Sequence, residues 1–483
     1  MLFNSFTFFI FFFVFYFLYW LILNRNLKVQ NILLLIGGYV FYSWTDWRLL
    51  FYLIFVSLFN YLLGIYIGKA KSEKNKKLLV AIGLVQGIGG LVFFKYFNFF
   101  ITSFNEAFTS IGIHLGWQTL QLIIPLGISF FTFRTISYIL DINKGKIEAT
   151  TDWVVYFTYV SYFPGLLSGP IDRAGTLIPQ LEKRRSWDYN QSVNGLRQIL
   201  WGLFKKIAIA DNCGIFTTHI FDNFQTLPGS SLFIGSILFT IQLYADFSGY
   251  SDMAIGVSSL LGIKNTKNFE FPLFAQNIAE FWRKWHISLT SWMTEYVYTP
   301  LSITFRDYGK LGAVLAILIN FVIIGMWHGA NWTFIIFGFV HGCLFVPLIL
   351  RGTINSRNKN KNLMKLPTWS GLFRMSLTFL LVTLSFILFK SDSISNALLF
   401  YKRIFSISLF SLPELYFLKT AFTAFVLGAA MFIVEWVQRD KEFGLQIDGI
   451  KQKYVRWLIY YTLVFVIMIF GVFDNNEFIY FKF

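Results

Sequence analysis

The residues best equipped for chemistry are two histidines set among aromatic side chains. His328 stands in GMWHGANW, residues 325–332, where one apolar stretch ends and another begins after a tight turn. Imidazole changes charge near neutral pH, so proton exchange is the chemistry it offers. Gly325 and Gly329 permit close backbone approach, Trp327 and Trp332 supply packing or interfacial anchoring, and Asn331 offers an amide to orient the imidazole or a substrate. On local spacing alone, a histidine in an interfacial turn between spans and a functional histidine both remain open. His286 lies in FWRKWHISLTSWMTEYVYTPL, residues 281–301. There Ile278, Phe281, Trp282, Trp285, Leu289, Trp292, Met293 and Tyr296 recur at three- and four-residue spacing, the stripe of an interfacial amphipathic helix. Glu280, Arg283, Lys284, Thr290 and Glu295 form its other face, with Glu280 placed to pair with Lys284. His286 falls on the flank, facing either the core or the headgroups. Arg283 and Lys284 either snorkel to headgroups or bind an anionic phosphate.

An ionisable group at the centre of a membrane helix costs at least about 2.5 kcal/mol, so each one at depth asks for a reason. YADFSGYSDMAIG, residues 244–256, holds Asp246, Ser248, Ser251 and Asp252 among apolar residues, with Gly249 interrupting the pattern. The two carboxylates can coordinate a cation, pair with Arg283 or Lys284, or orient a histidine, and pairing ranks first. Lys205 and Lys206, in GLRQILWGLFKKIAIADN at 195–212, read as part of a basic helix on the cytoplasmic surface. Cys213 and Cys343 both lie in apolar stretches, which leaves no disulfide framework or zinc cluster, and no metal site is expected.

These residues belong to a chain of 483, 56% hydrophobic, 20% aromatic and only 14% charged. A soluble chain carries about 25% charge, so a soluble multidomain enzyme is excluded, and 60 Phe, 24 Tyr and 15 Trp exclude disorder. The net charge of +16 fits cytoplasmic loops facing anionic lipid, not nucleic acid. Stretches of spanning length occur at about 6–23, 30–44, 47–68, 78–97, 119–140, 311–327, 332–350, 371–389, 417–437 and 454–473. The first is read as a retained helix, not a signal peptide. Arg25 and Lys28, then Lys69 to Lys77, then Arg351, Arg357, Lys359, Lys361 and Lys365 mark loops expected inside; the 98–118 loop and both termini are expected outside. Between Asp141 and Lys310 the apolar segments are short and interrupted by Pro164, Pro170 and Gly249. That block predicts re-entrant and interfacial helices around a central cavity. Residues 231–247 and 251–263 are expected as a hairpin of two spans or as two half-helices. The whole is expected to be one all-α polytopic membrane domain: N-terminal spans over 1–140, the broken block over 141–310, and a histidine-bearing hairpin with C-terminal spans over 311–483.

PLGISFFTF, SGPIDR, KKIAIADN, YADFSGYSDMAIG, FWRKWHISL and GMWHGANWTF follow one another in the order found in the membrane-bound O-acyltransferase family, and the chain resembles its bacterial alginate O-acetylation branch. YVFYSW at 39–44 and FIYFKF at the end extend the likeness over essentially the whole chain. It departs at Thr294 and Glu295, and at Arg134 and Gly165, where glutamines are common. The resemblance implies a fold of about 10–12 spanning helices and transfer of an acyl group, most simply acetyl, to a hydroxyl. His328 is then the essential residue and His286 a supporting one. It also implies a cytoplasmic acyl thioester donor, acetyl-CoA or an acyl carrier protein, as substrate, with no bound cofactor. The basic residues Lys205, Lys206, Arg283 and Lys284 would receive it. The acceptor would be an extracytoplasmic polysaccharide, reached directly or through a periplasmic acetyltransferase partner, at the inner membrane. D-alanyl transfer to teichoic acid is the neighbouring activity. Transport of polysaccharide or lipid precursors and a scaffold role are the readings outside catalysis.

Overall fold

The structure, a computed structural model, describes residues 1–22, 26–354, 366–414, 417–473 and 478–479. Arg25, Arg357, Lys359, Lys361, Lys365 and most of FIYFKF lie outside the described residues. All regular elements among the described residues are helical. The longer ones are α1 (Phe6–Phe17), α2 (Leu27–Ser43), α3 (Arg48–Lys69), α4 (Glu73–Ser110), α5 (Ile128–Asn143), α6 (Trp153–Ser161), α7 (Ala174–Leu181), α8 (Tyr189–Leu203) and α9 (Asp211–Asp222). The chain continues with α10 (Gly229–Leu260), α11 (Ile278–Lys284), α12 (Ile287–Met293), α13 (Gly309–His328) and α14 (Trp332–Leu350). It ends with α15 (Trp369–Lys390), α16 (Ile394–Ile404), α17 (Leu418–Val437) and α18 (Lys453–Phe470). Two compact units comprise Met1–Val193 with Val257–Thr266, and Asn194–Gly256 with Lys267–Phe483. Eight helices among the described residues are long and apolar enough to cross a bilayer: α3, α4, α10, α13, α14, α15, α17 and α18. The run Phe6–Ile22 is apolar but shorter. The protein is a multi-pass helical membrane protein.

Three expected elements are corrected. The stretch 119–140 is not one helix, because Pro125 lacks an amide proton and Gly127 sits at φ 69°, so α5 begins only at Ile128. The chain before it lies along α4, held by Asn98, which exchanges two 2.8 Å hydrogen bonds with the Leu120 backbone, and by Asn105, which donates to the Trp117 carbonyl at 2.7 Å. In turn, α4 does not stop near residue 97: a π-turn at Val92–Tyr96 carries it on to Ser110, 38 residues or about 57 Å. Residues 231–263 form neither a hairpin nor half-helices but the continuous 32-residue α10. Gly249 does not interrupt it. A Cβ there would stand 2.8 Å from the Gly202 carbonyl oxygen, so the glycine serves a close helix crossing.

In the first unit, the end of α6 and the segment 162–172, helical only over Phe163–Leu166, are buried, and their carbonyls need donors that lipid does not supply. Arg134 provides them. Its fully buried guanidinium donates to the carbonyls of Tyr159, Val160, Tyr162 and Pro170 at 3.3–3.4 Å and lies 3.9 Å from the Asp172 carboxylate. Asn265 and the Thr266 amide donate to that carboxylate at 2.6 and 2.8 Å. A Cβ on Gly165 would fall 2.0 Å from Arg134 Nη2 and 2.9 Å from the Pro170 carbonyl oxygen. Arg134 and Gly165 are therefore sterically coupled: the long side chain at 134 fills the space a side chain at 165 would need.

Replacing Arg134 by leucine leaves Asp172 buried without its cation and is expected to cost about 3–5 kcal/mol. Gly165→Ala should destabilise as well, and far less in an Arg134→Gln background. Thermal melts of the purified single and double variants measure the coupling; purely additive effects would break the link between the two positions.

Candidate active site

All of the sequence-derived site residues fall in the second unit. Helices α13 and α14 meet at two glycines. A Cβ on Gly325 would lie 2.2 Å from the Phe334 carbonyl oxygen, and one on Gly338 would lie 2.1 Å from that of Phe321. This approach buries the last residue of α13, His328, which keeps 4% of its surface exposed. Its ring is walled by Trp327, Phe389 and Phe337, with centroids 5.0, 5.1 and 5.9 Å away. His328 is thus a residue of a packed aromatic enclosure and not of an open turn. Asn331 is the N-cap of α14: its Oδ1 accepts from the Thr333 amide at 3.0 Å and its Nδ2 donates to the Asp392 carbonyl at 2.8 Å. Its amide thus caps α14 and ties the turn to the segment after α15, and no hydrogen bond to an imidazole is among its contacts.

His286 departs further from expectation. The amphipathic stripe is not one helix, because the chain breaks between α11 and α12 with His286 in the left-handed region at φ 45°. Such a conformation costs of order 1–3 kcal/mol in a residue with a side chain and persists only where its surroundings impose it. Asn268 imposes it. The Ile287 amide donates to the Asn268 carbonyl at 2.8 Å, while Asn268 Oδ1 accepts from Ser288 Oγ at 2.9 Å and stands 3.0 Å from His286 Nδ1. Asn268 Nδ2 in turn donates to Ser251 Oγ at 2.9 Å. An amide oxygen only accepts, so His286 carries its proton on Nδ1 and presents Nε2 as the lone-pair nitrogen. The ring lies fully buried, neither on a flank nor at headgroups, and burial pushes its pKa down to about 3. Trp327 joins the two histidines, with its indole 5.5 Å from the His286 ring and 5.0 Å from that of His328.

Lys205 and Lys206 do not lie on a surface helix. A π-turn, Phe204–Ala210, follows α8 and turns both inward, leaving them 2% and 1% exposed. Gly202 crosses Gly249 at that level, and Gly195 crosses Gly256 one step along: a Cβ on Gly202 or Gly256 would meet the opposing carbonyl at 2.6 Å. Lys205 Nζ reaches Asp252 at 2.5 Å and donates to Ser248 Oγ at 2.9 Å. Lys206 Nζ lies between Asp246 at 2.7 Å and Asp211 at 2.9 Å. Asp246 also accepts the Ile479 amide at 2.8 Å. Pairing was the expected fate of the two aspartates, but their partners are these lysines and not Arg283 or Lys284. Lys284 instead holds Glu280 at 2.9 Å, as its spacing predicts, and the exposed Arg283 donates to the Ile354 carbonyl at 3.0 Å.

Two residues of this region went unread in the sequence. Asn268 carries no recognisable spacing signal. His341 does carry one, since an ionisable residue inside an apolar span is itself a flag.

Eight candidate spans among the described residues and an aromatic enclosure that holds two buried histidines define a helical membrane protein with two imidazoles gathered at one place. The sequence profile of the membrane-bound O-acyltransferase family matches residues 147–351, which include both histidines and the lysine–carboxylate cluster. The chain is 36% identical over 396 residues to the probable alginate O-acetylase of Pseudomonas aeruginosa, covering 80% of this chain and 72% of that one. It is 32% identical over 402 residues to the peptidoglycan O-acetyltransferase of Helicobacter pylori, 77% and 73% of the two chains. A teichoic acid D-alanyltransferase of Streptococcus thermophilus matches at 30% over 293 residues, 56% of this chain and 69% of that one. The chain belongs to the membrane-bound O-acyltransferase family, and it is an O-acyltransferase.

With its imidazole held near 3, His286 stays neutral throughout pH 5–9 and contributes no inflection there. The pH–rate profile of His286→Gln should therefore fall in height but keep the wild-type inflection; a displaced inflection would show that His286 titrates.

Proposed function

We propose that the protein moves an acetyl group from a cytoplasmic thioester, acetyl-CoA or an acyl carrier protein, to a hydroxyl of an extracytoplasmic polysaccharide, with His328 as general base. The observation that carries this is the enclosure of His328, coupled to His286 through Trp327, within the part of the chain that matches the family profile. In the reaction the imidazole takes the acceptor's hydroxyl proton, the acceptor oxygen bonds to the acyl carbon, the carbon–sulfur bond breaks, and the thiolate leaves with that proton. Positioned base catalysis contributes roughly 10²- to 10⁴-fold. His286, buried and neutral, orients Trp327 and the segment around it. Arg283, exposed in the last turn of α11, receives the donor's phosphates, whereas Lys205 and Lys206 with Asp246, Ser248 and Asp252 hold the helices together. Acetyl is favoured because the relatives matched over more than three quarters of this chain are named for O-acetylation of alginate and of peptidoglycan. Delivery of the group through a periplasmic acetyltransferase partner at the inner membrane belongs to the same reading. D-alanyl transfer rests on a match over 56% of the chain.

His328→Ala and the size-conserving His328→Gln are both expected to reduce polysaccharide acetylation at least 100-fold at matched protein level in a deletion strain. His286→Ala should lose less. Wild-type acetyl content with either His328 variant removes the base from this residue, and an equal loss at 286 reverses the two roles.

The loop charges place Lys69 to Lys77 in the cytoplasm and residues 98–118 outside. Asn75 and Ser110 are exposed residues near opposite ends of α4, so one helix tests the orientation. After Cys343→Ser, with Cys213 left buried, an impermeant thiol reagent applied to intact cells should label Ser110→Cys and spare Asn75→Cys. The opposite pattern inverts the topology.

A further inference from the structure

A third histidine lies close to the first two. His341, on α14, is fully buried and sits in a hydrogen-bond chain whose direction is fixed by its members. The Trp282 indole N–H is a donor only and reaches His341 Nδ1 at 3.1 Å. The imidazole proton is therefore on Nε2, 2.9 Å from Ser385 Oγ, and the Ser385 hydroxyl proton goes on to the Val382 carbonyl at 2.7 Å. A second proton on Nδ1 would face the indole N–H, so this ring is held neutral by its partners. It does not act as a base. The chain runs from α11 through α14 to α15, and each of its three members stands four residues from a member of the two-histidine enclosure, either an enclosed histidine or a wall. Trp282 precedes His286; Phe337, which precedes His341, touches both His341 at 4.5 Å and His328 at 5.9 Å; and Phe389, which follows Ser385, lies 5.1 Å from His328. Phe337 and His341 share a face of α14, and Ser385 and Phe389 a face of α15, so fixing one member fixes the ring beside it; Trp282 acts on His286 through the short chain break that follows α11.

We propose that His341 is a positioning residue for acyl transfer: as a neutral, Nε2-protonated link between Trp282 and Ser385, it sets the relative register of α14 and α15, which wall in His328, and of the His286 segment packed on Trp327. This rests on the acyl-transfer reading above. The side chain touches no reacting atom in that scheme. Its effect comes through Phe337, Phe389 and the His286 segment, and a 1 Å misplacement of such groups lowers a rate by about 10²-fold.

Three variants and one spectrum test this. His341→Leu breaks both hydrogen bonds and should lower polysaccharide acylation by about 10²-fold at matched protein level. His341→Gln, whose Oε1 can accept from Trp282 and whose Nε2 can donate to Ser385, should restore it to within a few-fold. Ser385→Ala removes only a hydroxyl and should give an intermediate loss, which keeps the test decisive if the leucine variant does not accumulate. Full activity in His341→Leu or in Ser385→Ala overturns the proposal, as does a His341→Gln variant as inactive as His328→Ala, which would make His341 a proton carrier. Independently of any activity, the ¹⁵N resonances of labelled histidine that disappear in His341→Gln should report an Nε2–H tautomer unchanged from pH 5 to 9. A doubly protonated or Nδ1–H signal overturns the link even if acylation proceeds, whereas absence of acylation by the wild-type chain would count against the acyl-transfer reading alone.

Discussion

Lipid offers no hydrogen bonds, so each polar group taken to membrane depth must find its partner within the protein. The arrangement around the candidate active site follows from that constraint. Lys205 and Lys206 are buried only because Gly202 and Gly249 let two helices approach closely enough for Asp252 and Asp246 to reach the ammonium groups. Arg134 does the equivalent where α6 ends and the segment 162–172 begins: one guanidinium serves two carbonyls of the last turn of α6, two of the segment that follows, and a carboxylate. Such clusters add little net stability over apolar packing of the same volume, but they cannot be half-made, since a lone buried charge is far more costly than a paired one. They act as registers that accept one helix placement and penalise the neighbouring ones.

The three histidines show how the same side chain is given different work by its neighbours. Asn268 fixes His286 as an Nδ1–H tautomer in a strained backbone conformation, and Trp282 and Ser385 fix His341 as the opposite tautomer. His328 is enclosed by aromatic rings at the end of a helix. Trp327 and Phe337 bridge the three, each indole or phenyl ring lying against two imidazoles. Under the proposed mechanism, rigid rings with defined tautomers around His328 are what holds an acceptor hydroxyl and an acyl carbon at one distance and angle.

Family membership fits this physical picture without replacing it. The profile match begins at residue 147 and ends at 351, so it takes in the histidines, the glycine crossings and the lysine–carboxylate cluster. Arg134 lies before it and Gly165 within it, and the two are sterically coupled, since a Cβ at 165 would meet the guanidinium that holds the loop.

The sequence by itself determined that this is a multi-pass helical membrane protein, because apolar runs of spanning length are dictated by bilayer thickness alone. Ordered motifs marked the family and singled out His286 and His328, and a four-residue spacing was enough to pair Glu280 with Lys284. Periodicity failed wherever the partner lies far along the chain. It drew one stripe through residues 278–296, but Asn268 breaks the helix at His286 by taking the hydrogen bonds that would have continued it. It placed Lys205 and Lys206 on a surface, because neither the π-turn nor the two aspartates 40 and 47 residues downstream can be read from local spacing. It treated Gly249 as a break, since a glycine that permits a crossing and one that ends a helix look the same until the opposing carbonyl is known. Local pattern fixes which residues lie within a helix and which are polar; which polar groups meet, and hence which protons are held and where, is decided by contacts between helices that only the tertiary structure brings together.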